Sequence, residues 1–186
     1  LLDMRMNQAG ELNAFHVVNN YDKADMIDLF IQFGEFNKGL ASKIVNKIIS
    51  LRNEELINST QKLAYAVGGL TSFKTRNKFL ARVFQAIRIE VNQEMQSLSE
   101  MLEQIPNCLN PKGRLVVITY HSLEDRMVKN FIRSGNIKGV LDKDFYGNVN
   151  RALEEVVRKP VVPDEEEIKG NSRARSAKLR IASKKE

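Results

Sequence analysis

Gly-Arg-Leu-Val-Val-Ile-Thr-Tyr-His-Ser-Leu-Glu-Asp-Arg, residues 113–126, is the stretch that decides the fold class of this 186-residue chain. The run from Arg114 to Tyr120 is mostly apolar and β-branched, which predicts a strand covered on both faces in a parallel sheet. Ser122 and Asp125 follow with the spacing of a capping box, so Ser122 is the predicted N-cap of a helix. A helix, a turn, a buried strand and a second helix in this order are typical of half of a doubly wound α/β sheet.

Helical periodicity dominates the chain before this strand, over residues 13–109. Asp22 is a predicted N-cap, and Ser59 or Thr60 is another, because short polar side chains accept hydrogen bonds from the first backbone N–H groups of a helix. A longer helix is predicted over residues 82–105, where apolar residues recur at steps of three and four. The region therefore predicts several amphipathic helices.

Less regular structure is predicted after the second helix of the deciding stretch. Residues 134–150 are rich in glycine and polar residues and predict a loop. Residues 155–162 predict a strand interrupted by Pro160. The last strand is predicted from alternating residues whose apolar side chains would face the core, namely Ala177, Leu179 and Ile181.

The composition is that of a globular protein with an excess of positive charge. Hydrophobic residues make up 42% of the chain and charged residues 28%. No apolar run approaches the roughly 20 residues that span a bilayer, so no membrane-spanning helix is predicted and a cytoplasmic location is expected. The net charge of +6 favours a polyanionic partner, although composition alone does not name that partner.

Cysteine and histidine, which form disulfides, metal sites and many catalytic sites, are rare in this chain. Cys108 is the single cysteine, so the chain cannot form an internal disulfide or a cysteine-based zinc site, and Cys108 is predicted to be a small core residue. His16 and His121 are the two histidines, and neither belongs to a metal-ligand cluster in the sequence. No metal site and no serine hydrolase motif is therefore predicted.

The turn after the predicted strand is the first candidate site. His121 and Ser122 lie where the chain leaves the sheet, and open α/β sheets bind ligands at this carboxyl end of their strands. The N–H groups at the start of the following helix could hold a polar edge of a substrate. The alternative is that these residues only cap the helix.

Two further polar clusters allow both a functional and a structural interpretation. Arg88 and Asn92 fall on a common side of the predicted helix, where an ordinary solvated face would show the same spacing. Arg173 and Arg175 lie among small residues that would let a phosphate approach. A basic edge strand protected against aggregation is an equal alternative for these two arginines.

Four segments together resemble the signature sequences of one family. In order along the chain, they are residues 2–6, 84–92, 113–126 and 173–180. These segments resemble the RsmH or MraW family of bacterial rRNA methyltransferases, and the likeness covers essentially the whole chain. Lys112, Thr119, Tyr120 and Ser172 depart from the family pattern without removing a polar group on which the site prediction depends.

The resemblance implies a fold and an activity. It implies an α/β fold in which a partial class I, Rossmann-like methyltransferase sheet, formed by residues 1–12 and 78–186, carries an inserted all-helical substrate-recognition domain at residues 13–77. It also implies transfer of a methyl group from S-adenosylmethionine to N4 of a cytidine in the decoding region of 16S rRNA, within the small ribosomal subunit. The donor-binding segment of the family is expected upstream of Leu1, so we expect the chain alone to bind the donor weakly and to be inactive.

The resemblance also implies roles for individual residues. The residues expected at the catalytic pocket are Asp3, His121 and Ser122. The residues expected to bind the substrate are Arg5, Arg88, Asn92, Arg173 and Arg175. Among them, Arg88 and Asn92 are expected to support the pocket from the preceding helix, and Arg173 and Arg175 to take phosphates. An open sheet edge is expected to promote self-association, which would give a homodimer.

Two other functions stay open from the sequence alone. The chain could be a noncatalytic RNA-binding module built from the helices and the basic C-terminal strand. It could also be an unrelated α/β enzyme that uses His121 with Glu124 or Asp125. Both carboxylates are expected to point along the helix and away from the strand end, which disfavours such an enzyme.

Overall fold

Helices form the first half of the chain and a small sheet forms in the second half, in a computed structural model that describes all residues from 1 to 186. The helices are α1 (Ala14–Asn20), α2 (Lys23–Gln32), α3 (Lys38–Glu54), α4 (Thr60–Gly68), α5 (Arg76–Val91), α6 (Glu94–Cys108), α7 (Ser122–Ser134) and α8 (Glu165–Gly170). The strands are β1 (Arg114–Thr119), β2 (Leu153–Glu155) and β3 (Lys178–Lys184). None of the helices is both long and apolar enough to cross a membrane.

Two compact units, Leu1–Glu94 and Met95–Glu186, each contain a hydrophobic core. In the first unit, apolar faces of α1 to α5 meet around fully buried side chains such as Phe30 and Ile44. In the second unit, α6, α7 and all three strands contribute buried side chains. The predicted division into residues 13–77 and the remainder stays a prediction.

The predicted starts of two helices are confirmed. Asp22 caps α2, because its carboxylate accepts a hydrogen bond from the N–H of Asp25. Ser59 rather than Thr60 caps α4, with its hydroxyl accepting from the N–H of Lys62. Each cap satisfies a backbone donor that has no carbonyl partner within its helix.

The single helix predicted over residues 82–105 is wrong, because the structure divides this region into α5 and α6. Gln93 has a φ of 50°, a left-handed conformation that interrupts a helix. The guanidinium of Arg88 donates hydrogen bonds to both carboxylate oxygens of Glu94, at 2.7 and 2.9 Å. This pair spans the break.

Pro106 does not end α6, although the sequence predicts that it would. The helix continues to Cys108, and Pro106 lies in its last turn, where a proline removes a single backbone hydrogen bond. Cys108 is exposed, so its predicted place in the core is wrong.

The sheet has the order β1–β3–β2, and both pairs of neighbouring strands are antiparallel. Arg114 lies opposite Ser183 and Thr119 lies opposite Lys178, so β1 is paired along its whole length. Its other edge has no partner strand in the chain. The predicted strand is therefore confirmed, but its pairing here is antiparallel rather than parallel.

One face of β1 is exposed, contrary to the prediction that both faces would be covered. Leu115 and Thr119 are buried, whereas Val116 and Ile118 keep 55% and 54% of their surface exposed. The strand thus combines an open edge with an exposed apolar face.

The interior face of β3 is the opposite of the predicted one. Arg180 and Ala182 are buried, whereas Leu179 and Ile181 are only partly buried. Because side chains alternate between the two faces of a strand, a shift of one residue exchanges every side chain between the interior and the exterior.

Little regular structure lies between α7 and α8. The loop predicted over residues 134–150 is confirmed after the end of α7. The strand predicted over residues 155–162 is largely wrong, because β2 ends where it was expected to begin and Val161 forms only an isolated bridge with Leu179.

A buried ion pair accounts for the inward face of β3. Nε of Arg180 lies 2.6 Å from Oδ1 of Asp125, and Nη2 of Arg180 lies 3.2 Å from Oδ2. Nζ of Lys178 also lies 3.2 Å from Oδ2. The side chains of Asp125 and Arg180 are only 12% and 9% exposed. Asp125 therefore holds α7 against β3 and does not belong to a capping box.

Asp125→Ala is expected to destabilise the fold strongly, because the charge of Arg180 would remain buried without its partner. Loss of one member of a buried ion pair costs about 3 to 5 kcal/mol, so the free energy of unfolding by urea at pH 7 should fall by this amount. Glu186→Gln is the control, since Glu186 pairs with Lys112 at an exposed position and should leave stability unchanged. Equally small effects of both substitutions would contradict the role of Asp125.

The difference in free energy of unfolding between the unsubstituted chain and Asp125→Ala is expected to depend on pH. Burial raises the pKa of Asp125, but hydrogen bonds from Arg180 and Lys178 outweigh this effect, so the pKa lies below its ordinary value. The carboxylate then stabilises the fold above the unfolded-state pKa of about 3.9, and this contribution is lost as the pH falls through the folded-state pKa. The loss of unfolding free energy caused by Asp125→Ala should therefore become smaller below about pH 4.

Candidate functional site

His121, not Ser122, caps α7, which corrects the predicted capping box. Nδ1 of His121 accepts a hydrogen bond from the N–H of Glu124 at 3.4 Å, and the Glu124 carboxylate accepts from the N–H of His121 at 3.3 Å. The same carboxylate accepts from the N–H of Tyr120 at 2.8 Å. Glu124 thus turns back toward the end of β1, and the prediction that it points away is wrong.

The imidazole of His121 contacts Glu124 through both ring nitrogens. Nε2 lies 3.3 Å from Oε1 of Glu124. Burial raises the pKa of Glu124, but hydrogen bonds from His121 and Tyr120 outweigh this effect, so the pKa lies below its ordinary value. Since Nδ1 accepts a hydrogen bond, a neutral imidazole carries its proton on Nε2. In this arrangement the ring has no further lone pair with which to accept a substrate proton.

Ser122 is exposed at this strand end, as is Tyr120, whereas His121 is partly buried. It is the first residue of α7, so its hydroxyl lies at the helix N-terminus. Backbone N–H groups at such a terminus carry a partial positive charge that attracts carbonyl or anionic oxygen atoms. Of the two residues predicted at the end of β1, Ser122 is the better placed to touch a ligand, whereas His121 shapes the turn.

A second polar cluster surrounds the N-terminal segment. Nε and Nη2 of Arg5 donate hydrogen bonds to the two carboxylate oxygens of Asp3, at 2.7 and 2.8 Å. Nη1 of Arg5 donates to the carbonyl oxygens of Gln8 and Gly10, at 3.0 and 2.8 Å. The hydrogen bonds from Arg5 lower the pKa of Asp3 to about 2, so Asp3 can accept hydrogen bonds but does not hold a proton at neutral pH.

Hydrogen bonds of Asn92 hold this N-terminal segment against the end of α5. Its Oδ1 accepts a hydrogen bond from the N–H of Met6 at 2.7 Å, and its Nδ2 donates to the carbonyl oxygens of Met4 and Arg88, at 2.9 and 2.8 Å. Met4 has a φ of 65°, a strained conformation for a residue other than glycine that persists only with support from its surroundings. Three of the predicted substrate-binding residues, namely Arg5, Arg88 and Asn92, therefore make structural contacts within the chain.

Two open cavities adjoin this cluster in the first unit. One, of about 350 Å³, is lined by Arg5 and Asn92, and another, of about 500 Å³, is lined by Met4, Phe84 and Arg88 among others. Both lie within the size range of small-ligand sites. The sequence did not indicate Met4 or Phe84 as a site residue. Residues 2–7 show no periodic pattern, and Phe84 lies on the apolar side of a predicted helix, where a core is expected.

The C-terminal basic cluster lies in a 3-10 turn, Ser172–Ser176, which precedes β3. Arg173 and Arg175 are exposed, and neither guanidinium forms a hydrogen bond or an ion pair within the chain. The neighbouring acidic run Asp164–Glu167 therefore does not brace them through ion pairs. Both arginines are accessible to an external anion.

The structure brings some of the predicted site residues together. One connected group, in the first unit, consists of Asp3, Arg5, Arg88 and Asn92. The second unit contains His121 with Ser122, and also Arg173 with Arg175. The joint catalytic role of Asp3, His121 and Ser122 stays a prediction.

Comparisons with known proteins identify relatives of the chain. The MraW methylase family matches residues 1–185. Proteins named ribosomal RNA small subunit methyltransferase H are 48% identical over 183 residues in Flavobacterium johnsoniae and 47% identical over 184 residues in Bacteroides thetaiotaomicron. A protein of the same name from Amoebophilus asiaticus is 47% identical over 180 residues.

These alignments cover nearly all of the chain but only part of each relative. They include 98%, 99% and 97% of the chain and 60%, 60% and 57% of the respective relatives. The chain thus spans about 60% of the length of the curated relatives it matches. The clusters around Asp3, His121 and Arg173 all lie in this shared part.

Asn92→Ala is expected to loosen the N-terminal segment. Alanine can neither accept the hydrogen bond from the N–H of Met6 nor donate to the carbonyl oxygen of Met4. One hydrogen bond contributes about 0.5 to 1.5 kcal/mol, so hydrogen exchange of the Met6 amide should become roughly 2- to 10-fold faster. Asn46→Ala, on an exposed position of α3, is the matched control. Unchanged exchange at Met6 in the Asn92 variant would contradict this fastening.

Proposed function

Since the chain belongs to the MraW methylase family, we propose that the full-length protein transfers a methyl group from S-adenosylmethionine to N4 of a cytidine in the decoding region of 16S rRNA. The observation that carries the proposal is the family match over residues 1–185, which includes all four signature segments. Relatives that are 47% to 48% identical are named for the RNA of the small ribosomal subunit. The donor and the target atom are inferred from the resemblance of the segments.

The residues of this chain do not form a typical donor site. Nucleotide cofactors of open α/β sheets commonly bind where a glycine-rich turn joins a strand to a helix. The turn from β1 to α7 contains no glycine, and Gly68 and Gly69 end a helix instead. We therefore place the donor in the part of the full-length relatives that the chain does not span, where it would supply an electrophilic methyl group. The open edge of β1 supports this placement, because a further strand could pair there.

The end of β1 offers groups that suit the edge of a cytosine. The lone pair of cytosine N4 is delocalised into the ring, so methyl transfer needs a hydrogen-bond acceptor for an N4 hydrogen and a fixed direction of approach. The hydroxyl of Ser122 can accept that hydrogen, and N–H groups at the start of α7 can donate to the carbonyl oxygen of the base. His121 and Glu124 act as positioning residues, because together they hold this turn.

The RNA around the target must be held while the cytosine leaves its stack, which costs a few kcal/mol. Arg173 and Arg175 are suited to bind phosphates, because their guanidinium groups are exposed and have no partner within the chain. The small ribosomal subunit as partner and a cytoplasmic location belong to this proposal. The homodimer stays a prediction.

An unrelated α/β enzyme that uses His121 with a neighbouring carboxylate is less well supported. Asp125 is committed to Arg180, and Glu124 holds His121 in a cap whose accepting nitrogen is already occupied. A noncatalytic RNA-binding module remains the second candidate, because the chain offers exposed cations but no typical donor turn.

A methyl-transfer assay tests both the proposed function and the proposed roles of residues at the end of β1. It measures transfer by the full-length protein to small ribosomal subunits that lack the modification. Ser122→Ala should lower transfer roughly 3- to 10-fold, the effect of one hydrogen bond. His121→Ala should lower both transfer and midpoint, whereas His121→Asn should restore both, because asparagine is an effective N-cap.

The possible results separate the proposals. Absence of transfer by the unsubstituted full-length protein would contradict the proposed function and favour the RNA-binding module. Full activity of Ser122→Ala would contradict only the contact made by Ser122, and failure of His121→Asn to restore activity would contradict the positioning role.

Replacement of both Arg173 and Arg175 by alanine in the full-length protein should spare the fold and weaken binding to the small subunit. The slope of log affinity against log salt concentration should fall by about one for each lost phosphate contact, while donor affinity stays the same. The double variant Arg158→Ala, Lys159→Ala removes two other exposed cations and is the matched control. An unchanged slope, or an equal change in the control, would contradict phosphate binding by the pair.

A further inference from the structure

We propose that a groove between α3, α4 and the start of α5 binds a phosphate and a base of single-stranded RNA. The groove lies in the first unit, and its cavity of about 570 Å³ is within the range of nucleotide-sized sites. Its lining includes Lys47, Glu54, Tyr65, Gly68 and Arg76. The proposal rests on the proposed function, which makes RNA the polyanion that this protein meets.

Two cations of the groove have no partner within the chain. Lys47 and Arg76 form no hydrogen bond or ion pair there, whereas the other arginines of the same unit all donate hydrogen bonds within the chain. Arg52, for example, donates to the carbonyl oxygens of Val18 and Tyr21, at 3.1 and 2.8 Å. A phosphodiester is the group that a lysine and an arginine on one groove bind best, because both can donate charge-assisted hydrogen bonds to its oxygens.

The guanidinium of Arg76 lies in the space that a side chain at position 68 would occupy. A Cβ atom at position 68 would lie 2.8 Å from Nε and Nη2 of Arg76 and 3.0 Å from its Cζ, so a larger residue there would displace the guanidinium from this position. Gly68 is the last residue of α4 and has no left-handed backbone conformation that would otherwise require glycine. The backbone at Gly68 therefore does not itself require glycine, and the missing side chain leaves the space above α4 in which the guanidinium lies.

Tyr65 and Glu54 indicate that a nucleotide, and not an isolated phosphate, occupies the groove. The side chain of Tyr65 is 80% exposed, and an exposed aromatic ring beside cations is a platform on which an unstacked base can lie. The carboxylate of Glu54 repels phosphate but can accept a hydrogen bond from a ribose hydroxyl or a base amino group. The phosphate therefore belongs near Lys47 and Arg76, with the base on Tyr65.

The substitution Gly68→Ala tests this arrangement without removing a charge. Binding of the chain to a fluorescent single-stranded RNA of about 12 nucleotides, a length that covers one single-strand site, is the measurement. Arg76→Ala should weaken binding roughly 10-fold or more and lower the salt slope by about one. Gly68→Ala should weaken binding in the same direction while its thermal midpoint stays equal or rises, because the new methyl group displaces the guanidinium and favours the helix.

The losses of RNA affinity caused by Gly68→Ala and Arg76→Ala should not be additive. In the Arg76→Ala background, Gly68→Ala should have no further effect on binding, because the group that it displaces is already gone. Gly39→Ala is the matched control, since its added Cβ would meet only Oδ1 of Asn37 at 3.5 Å, outside the groove. Tyr65→Ala should weaken binding, and Tyr65→Phe should restore it by keeping the ring.

RNA affinity that is the same for Gly68→Ala, Arg76→Ala and Gly39→Ala would overturn the inference. Additive losses from Gly68→Ala and Arg76→Ala would also overturn it, as would equal sensitivity of double-stranded DNA or poly-glutamate binding to these substitutions. The assay needs no methyl transfer, so its failure is distinct from failure of the proposed function. A full-length protein that transfers methyl groups while its groove variants bind RNA normally would leave the enzyme intact and remove only the groove.

Discussion

The buried carboxylate of Asp125 is the group on which the second unit depends. It projects from the start of α7 and binds Arg180 and Lys178 of β3, which fixes the helix against the strand. Because Arg180 must reach inward, the neighbouring Leu179 and Ile181 turn to the other face. Since β3 is paired with β1, the same contact holds the end of β1 beside the first turn of α7, where the candidate substrate contacts lie.

Polar side chains build the first unit in the same way. Asn92 and Arg5 satisfy backbone groups of the N-terminal segment, and Arg88 binds Glu94 across the break between α5 and α6. These residues lie in or beside segments that resemble family signatures. A signature therefore contains residues that build the scaffold as well as residues suited to touch a substrate, and their hydrogen-bond partners separate the two roles where spacing does not.

Sequence patterns were sufficient where the physical cause is local. Asp22 needs only its own helix to act as a cap, and the apolar run of β1 needs only its own backbone to be a strand, so both could be predicted. The inward face of β3 depends on a partner 55 residues earlier in the chain, which alternation alone does not show. The candidate site was likewise predictable only in part. Its place at the end of β1 was predicted from the sequence. That His121 rather than Ser122 caps α7 was not, because the cap depends on the side chain of Glu124, which turns back toward the end of β1.

The chain has exposed cations suited to RNA and a strand end suited to a polar base edge. The family match supports the proposal that the full-length protein methylates ribosomal RNA. Mass spectrometry of 16S rRNA from cells with and without the gene tests this claim most directly. We predict that deletion removes an N4-methyl group from one cytidine of the decoding region and that the full-length gene restores it. Unchanged methylation of that region in the deletion strain would contradict the claim.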